Sequence, residues 1–171
     1  MTLVSSTTRI TIYKTLIMEK LELLLKYKTI IAGILNSPVE DILFYRDNRL
    51  LKDQELYYGK TGEWGLGSYE VRIKRKIIST FRLYQLPHCC AIALSCNTVV
   101  CTGFKNKGIG TVLNSFRQEL CSLLKYSTLM CTDIETNLHQ RKILQKNGWK
   151  DIHSVINKRT ANHVYISVID I

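Results

Sequence analysis

Val99-Val100-Cys101-Thr102-Gly103-Phe104-Lys105-Asn106-Lys107-Gly108-Ile109-Gly110-Thr111 joins an apolar run to an amphipathic one through a turn that contains three glycines. The run before it, Ala91–Cys101, is almost continuously apolar, which predicts a strand buried on both faces. The segment after it, Gly108–Lys125, places Val112, Leu113, Phe116, Leu120, Leu123 and Leu124 at helical spacing, with Arg117, Gln118 and Glu119 clustered away from them. A strand that feeds a helix through such a turn makes an anion site. The first helical N–H groups lack intrahelical partners, the helix dipole is positive there, and glycine lets an anion approach the backbone. Lys105 and Lys107 add charge, and Thr111 adds a hydroxyl. The loop is not the dinucleotide fingerprint, because Asn114-Ser115 lie where its third glycine belongs. No G-K-S/T follows, so it is not a Walker loop either.

The pattern downstream continues strand, helix, strand, strand. Ser127–Asp133 reads as a short strand, and Asn137–Lys146 as a helix stopped at Asn147-Gly148, where the chain needs a positive φ. Asp151–Asn157 and Val164–Ile171 read as two closing strands around a polar turn. Two motifs in this half resemble those of the GNAT (Gcn5-related N-acetyltransferase) family. Lys105, Gly108 and Gly110 stand in its Q/R-x-x-G-x-G/A loop. Asn137, Gln140, Ile143, Leu144, Lys146, Gly148 and Trp149 stand in its N-x-x-A-x-x-L-Y-x-K-x-G-F helix.

The resemblance covers about residues 81–171 and implies an α+β fold, a GNAT-like mixed sheet with helices on both faces. It implies acetyl-CoA as co-substrate. Val99, Val100 and Cys101 would pair with the pantetheine arm, and the backbone of Lys105, Asn106, Lys107, Gly108, Ile109, Gly110 and Thr111 would hold the pyrophosphate. Asn137 would meet the cofactor arm. The implied reaction is N-acetyl transfer from acetyl-CoA to an amine, on a protein or a small molecule, directly within a ternary complex.

The catalytic groups of that family are less visible. The tyrosine that usually protonates the departing thiolate is replaced by Leu144, and residues 89–101 contain no carboxylate. Asp133 and Glu135 are the nearest acidic residues, and His139 and His88 are the available imidazoles. Glu135 and His139 are therefore the candidate catalytic pair. Cys101 and Cys131 lack a histidine placed by sequence to activate them as nucleophiles. The alternative reading is a catalytically silent GNAT-like interaction protein that docks a partner through a ubiquitin-like N-terminal module, described next, and a basic face.

That N-terminal half reads differently. Arg9–Lys14 alternates as a strand, Lys20–Lys28 alternates in part as its return arm, and a helix from Ile17 onward is the competing reading. A short apolar segment, Thr29–Asn36, ends before Ser37-Pro38. Ile42–Tyr45 reads as a strand, followed by the turn Arg46-Asp47-Asn48 and a return at Arg49–Leu51. Gly59, Gly62, Gly65 and Gly67 mark Tyr57–Ser68 as loop, and Tyr69–Ile78 alternates with Arg72, Lys74 and Lys76 outward. This order, with Leu50, Asp53 and Leu56, resembles a ubiquitin-like β-grasp module over about residues 9–76. It implies two domains, a β-grasp module at 1–78 and a compact acetyl-CoA-binding domain at 79–171.

Composition limits the partners. The 171 residues carry 24 Lys and Arg against 14 Asp and Glu, a formal charge of +10, which favours anionic partners. Nucleic acid is one such class, although neither an aromatic stacking platform nor a reader motif accompanies the basic strand. The six cysteines form no CxxC pair, so no metal site is expected, and they sit in apolar segments as reduced thiols do. No stretch of about 18 apolar residues is present, and the expected setting is cytoplasmic or otherwise intracellular, with no membrane span.

Overall fold

The structure is a computed structural model, and it describes residues 6–51 and 66–171. The chain opens with a helix, α1 (Ser6–Leu35), followed by a short hairpin, β1 (Ile42–Arg46) and β2 (Arg49–Leu50). Next come β3 (Gly67–Ile73), β4 (Lys76–Gln85) and β5 (Ile92–Val100), then α2 (Ile109–Leu123) and β6 (Thr128–Ile134). The chain closes with α3 (Leu138–Lys146), β7 (Lys150–Ile156) and β8 (His163–Asp170). Among the described residues eight strands form one mixed sheet in the order β2-β1-β3-β4-β5-β6-β8-β7. Every neighbouring pair is antiparallel except β5–β6, the one parallel contact.

The sequence reading of the second half holds at the level of elements. In the N-terminal half the strand at Ile42–Tyr45, its return at Arg49 and the competing helix from Ile17 agree with the structure, and the β-grasp order does not. The strand expected at Arg9–Lys14 and the arm expected at Lys20–Lys28 are both part of α1, so the β-grasp order is absent. The reason lies in packing. Lys20, Leu23, Leu24, Tyr27, Ile31 and Ala32 are buried at helical spacing, and Tyr27 meets Phe116 of α2 edge-on at 5.2 Å between centroids. Asp53 and Leu56, which also carried the β-grasp resemblance, lie outside the described residues. A boundary at 78/79 is not seen either, because β4 crosses it and pairs with strands on both sides.

A second correction concerns Tyr69–Ile78. This is not one strand but the junction of β3 and β4, turned at Lys74, which takes φ 53° without help from glycine. The basic stripe expected there is broken up accordingly. Arg72 bonds Glu70 and stacks on Tyr45, Lys74 pairs with Asp41 at 3.3 Å, and Lys76 lies over the ring of Phe104.

One face of the sheet carries the core. Ile42, Phe44, Tyr69, Val71, Phe81, Leu83, Ala93, Leu129 and Cys131 are buried there. Phe116 sits among Phe44, Tyr69 and Phe81 at centroid distances of 5.2, 6.2 and 6.0 Å. Helix α2 reaches this face through Phe116 and Arg117 and α3 through Arg141 to Asp133, while α1 packs on α2 through Tyr27 and Phe116. The mixed sheet with helices packed on it has the fold class expected from the sequence, and the opposite face is less deeply buried. Its residues Leu94, Cys96, Met130, Ile166 and Val168 are only half-buried, and exposed Arg82 and Thr132 interrupt them. The same alternation corrects the reading of β5, which is buried on one face only. Among the described residues no helix is long and apolar enough to cross a membrane.

Candidate functional site

The site begins where two strands part. β5 and β6 pair only from Ile92–Ser95 to Thr128–Cys131. Beyond that point Val99 and Val100 of β5 remain tied to Thr80 and Ser79 of β4 on one side, while Thr132, Asp133 and Ile134 of β6 pair with β8 on the other. The backbone of β5 that faces the gap thus has no strand partner among the described residues. An irregularity in the β4–β5 register between Thr80 and Arg82 coincides with Asn97, which adopts φ 52°. A bulge of this kind bends the strand and re-aims its side chains. It brings Ser95 and Thr98 to the same helix-covered face, where both accept hydrogen bonds from Arg117.

The gap opens into a groove of about 550 Å³ between the N-termini of α2 and α3. Of the residues expected at a cofactor, Val99, Val100, Lys105, Asn106, Gly108, Ile109, Gly110, Thr111 and Asn137 line it, whereas Cys101 and Lys107 do not. Phe104 is buried beneath Lys76 and anchors the short 3-10 turn Thr102–Phe104, so the loop is held from below while Lys105 and Lys107 stay exposed.

Gly108 takes φ 85° at the N-cap of α2 and supplies no side-chain hydrogen bond. The first intrahelical bond is Val112 N–H to Gly108 carbonyl, so the N–H groups of Ile109, Gly110 and Thr111 precede any intrahelical donor and are available to a ligand. Gly110 contributes in a different way. A Cβ there would stand 3.2 Å from Ile143 Cδ1 and 3.8 Å from Val100, closing the space between α2, α3 and β5. Both glycines therefore keep backbone open toward the groove, and the fixed positive end of α2 fits an anionic group.

Asn137 caps α3, its side chain accepting from Gln140 N–H at 3.3 Å, while also lining the groove. Gly148 ends the helix at φ 80°, as the sequence predicts. Of the two candidate catalytic residues, His139 lines the groove on the first turn of α3. Glu135 does not line it; it is exposed after β6, with its N–H bonded to the carbonyl of His163. Leu144, at the place of the expected tyrosine, is buried at 3% exposure in the core rather than in the groove. Asp133 is also buried and faces Arg141, which donates to it at 3.1 Å and to Asp151 at 2.8 Å. Burial raises the Asp133 carboxyl above the ordinary range, against the lowering effect of Arg141. Burial likewise pushes the Cys131 thiol up to about 12, the opposite of what a nucleophilic cysteine needs.

Sequence reasoning missed several lining residues: Thr98, Phe104, Gln140, Lys142 and Ile143. Arg117 was misplaced. Expected on the outer face of its helix with Gln118 and Glu119, it is 2% exposed, because the bulge in β5 offers it two hydroxyls inside the core.

No protein-family model and no curated protein matches the amino-acid sequence. Solved structures do match the fold, which is that of the GNAT acetyltransferases. An IAA acetyltransferase from Bacillus cereus ATCC 14579 superposes with a TM-score of 0.56 at 14% identity, over 76% of this chain and 99% of that one. A GNAT acetyltransferase from Elizabethkingia anophelis with acetyl-CoA bound gives 0.55 at 15%, over 77% and 99%. The ribosomal-protein-S18-alanine N-acetyltransferase of Escherichia coli gives 0.52 at 11%, over 74% and 81%.

Proposed function

We propose that this chain is an acetyl-CoA-dependent N-acetyltransferase that passes the acetyl group directly to an amine, on a protein or a small molecule, within a ternary complex. The observation that carries this reading is the groove itself. A strand edge left open by its parallel neighbour leads straight to an uncapped helix N-terminus kept accessible by Gly108 and Gly110. An extended amide-bearing arm ending in a pyrophosphate matches both halves of that surface: hydrogen bonds along β5, and N–H groups with a positive dipole at α2. Lys105, exposed beside Asn106 at the groove wall, adds a cation for the phosphates. The neighbour from Elizabethkingia carries acetyl-CoA, and the Escherichia coli neighbour is named for an alanine acceptor on a ribosomal protein. Both support the same class of co-substrate and acceptor here.

His139 is the residue of the catalytic pair that reaches the groove, and we assign it the proton released by the amine; Glu135 would assist only from outside the groove wall. Holding a neutral amine against a bound thioester supplies much of the rate in such a reaction, so one base suffices. The test is calorimetry with acetyl-CoA and CoA on the intact chain and on Gly110→Glu, followed by mass spectrometry of a panel of lysyl peptides, α-amino peptides and polyamines. Saturable binding and transfer by the wild-type chain are expected. The variant, with a side chain and a negative charge at the anion site, should bind at least ~100-fold more weakly, about 2.7 kcal/mol. Unchanged binding by Gly110→Glu would sink the assignment.

A further inference from the structure

Arg117 is the most deeply buried cation of the described core, and no carboxylate contacts it. Its Nε donates to the Leu113 carbonyl at 3.1 Å, Nη2 to Asn114 Oδ1 at 3.3 Å, and Nη1 to both Ser95 Oγ and Thr98 Oγ1. The guanidinium lies over the Phe81 ring at 5.7 Å. Burial lowers its pKa to about 10, which still leaves it charged at neutral pH. A buried, uncompensated charge of this kind is costly and adds little to stability against an apolar replacement. Its partners give it another use. Ser95 and Thr98 flank the bulge at Asn97, at the point where β5 leaves β6, and Thr98 alone of the two lines the groove. Because Thr98 Oγ1 accepts from Nη1, its own hydrogen is free to be donated elsewhere, and the adjoining charge makes the hydroxyl a stronger donor.

We propose that Thr98 supplies the hydroxyl donor of the groove in place of the missing tyrosine, and that Arg117 is the positioning residue that fixes it. This rests on the acetyl-transfer reading above. In the transfer step the amine nitrogen forms a bond to the thioester carbonyl carbon, the C–S bond breaks, and its electron pair goes to sulfur. The proton lost by the amine ends on that sulfur as the free thiol. Thr98 keeps its own proton and donates a hydrogen bond to sulfur while the negative charge develops, a contact stronger in the transition state than in the bound thioester. Leu144, buried in the core, offers nothing of the kind.

The experiment uses the intact chain, acetyl-CoA and the fastest amine of the panel, with thiol release as the readout. Thr98→Val keeps the shape and removes the donor. Its kcat should fall on the order of 10- to 100-fold with acetyl-CoA affinity unchanged, less than the loss of a full oxyanion donor because sulfur is the weaker acceptor. Thr98→Ser should recover most of the rate. Arg117→Met should lower kcat by a similar factor, and the double variant Thr98→Val/Arg117→Met should lose no more than either alone. Equal kcat for Thr98→Val and wild type overturns the inference while leaving the acetyltransferase reading intact, and so do additive losses in the double variant. A wild-type chain that binds no acetyl-CoA overturns both. One that binds it and transfers nothing overturns the roles of Thr98 and Arg117.

Discussion

The 30-residue first helix and the short loop ahead of the second one both combine apolar and basic residues, yet only the loop could be read from its residues. At Lys105–Thr111 the constraints are local. Gly108 has φ 85°, and a capping role at Asn137 follows from its own side chain. Such requirements act through the backbone within a few residues and leave a mark on the sequence. In α1 the constraint is remote. Leu23, Tyr27 and Ile31 lie inward in one core with Phe116, Ile42 and Phe44, and Tyr27 meets Phe116 directly. The partly alternating run Lys20–Lys28 fits either a strand or a helix face, and its partner is nearly a hundred residues away, as the Tyr27–Glu119 hydrogen bond records with a separation of 92. Local chemistry is legible; a choice between two periodicities made by a distant surface is not.

That contrast can be broken most sharply at Phe116, the ring on which both regions converge. Phe116→Ala should destabilise the chain by about 3–5 kcal/mol in chemical denaturation, since it empties a site shared by Tyr27, Phe44, Tyr69 and Phe81. A loss below ~1 kcal/mol would mean that α1 is not docked as described. Lys20 sharpens the comparison from the helix side. It is 6% exposed, and burial lowers its pKa from 10.5 to about 8, with Arg46 acting in the same direction. Between those two values the unfolded chain binds more protons than the folded one, so stability rises with pH there and is lowest, for this group, below about 8. Lys20→Met should therefore raise stability at pH 7 by roughly 1–2 kcal/mol and flatten that rise. A strand at this position, with Lys20 in solvent, predicts no change in either. The smallest effect belongs to Lys26, paired with Glu119 at 2.7 Å but half-exposed. Lys26→Ala should cost no more than ~0.5 kcal/mol, less at high salt, as thermal melts at two ionic strengths would register.

The candidate site was legible to the same extent and for the same reason. The strand–glycine–helix pattern marked the loop as an anion site, the family resemblance singled out Asn137, and His139 was one of two imidazoles available. Thr98 and Arg117 could not. A threonine in an apolar strand and an arginine between Phe116 and Gln118 look like an edge residue and a solvated one. They become a pair only when the bulge at Asn97 turns Ser95 and Thr98 toward the same guanidinium. Glu135 illustrates the converse error, since proximity in sequence to the end of β6 did not bring it to the groove wall.

The amino-acid sequence by itself determined the strand–loop–helix unit at residues 99–125, the capped helix at 137–148 and the closing strands, because each is specified by backbone requirements and by side chains close along the chain. Tertiary structure decided the rest. It made α1 a helix, ran a single sheet across residue 78 and buried Arg117. Those outcomes depend on which distant surfaces meet, and burial is a property of the meeting, not of either partner read alone.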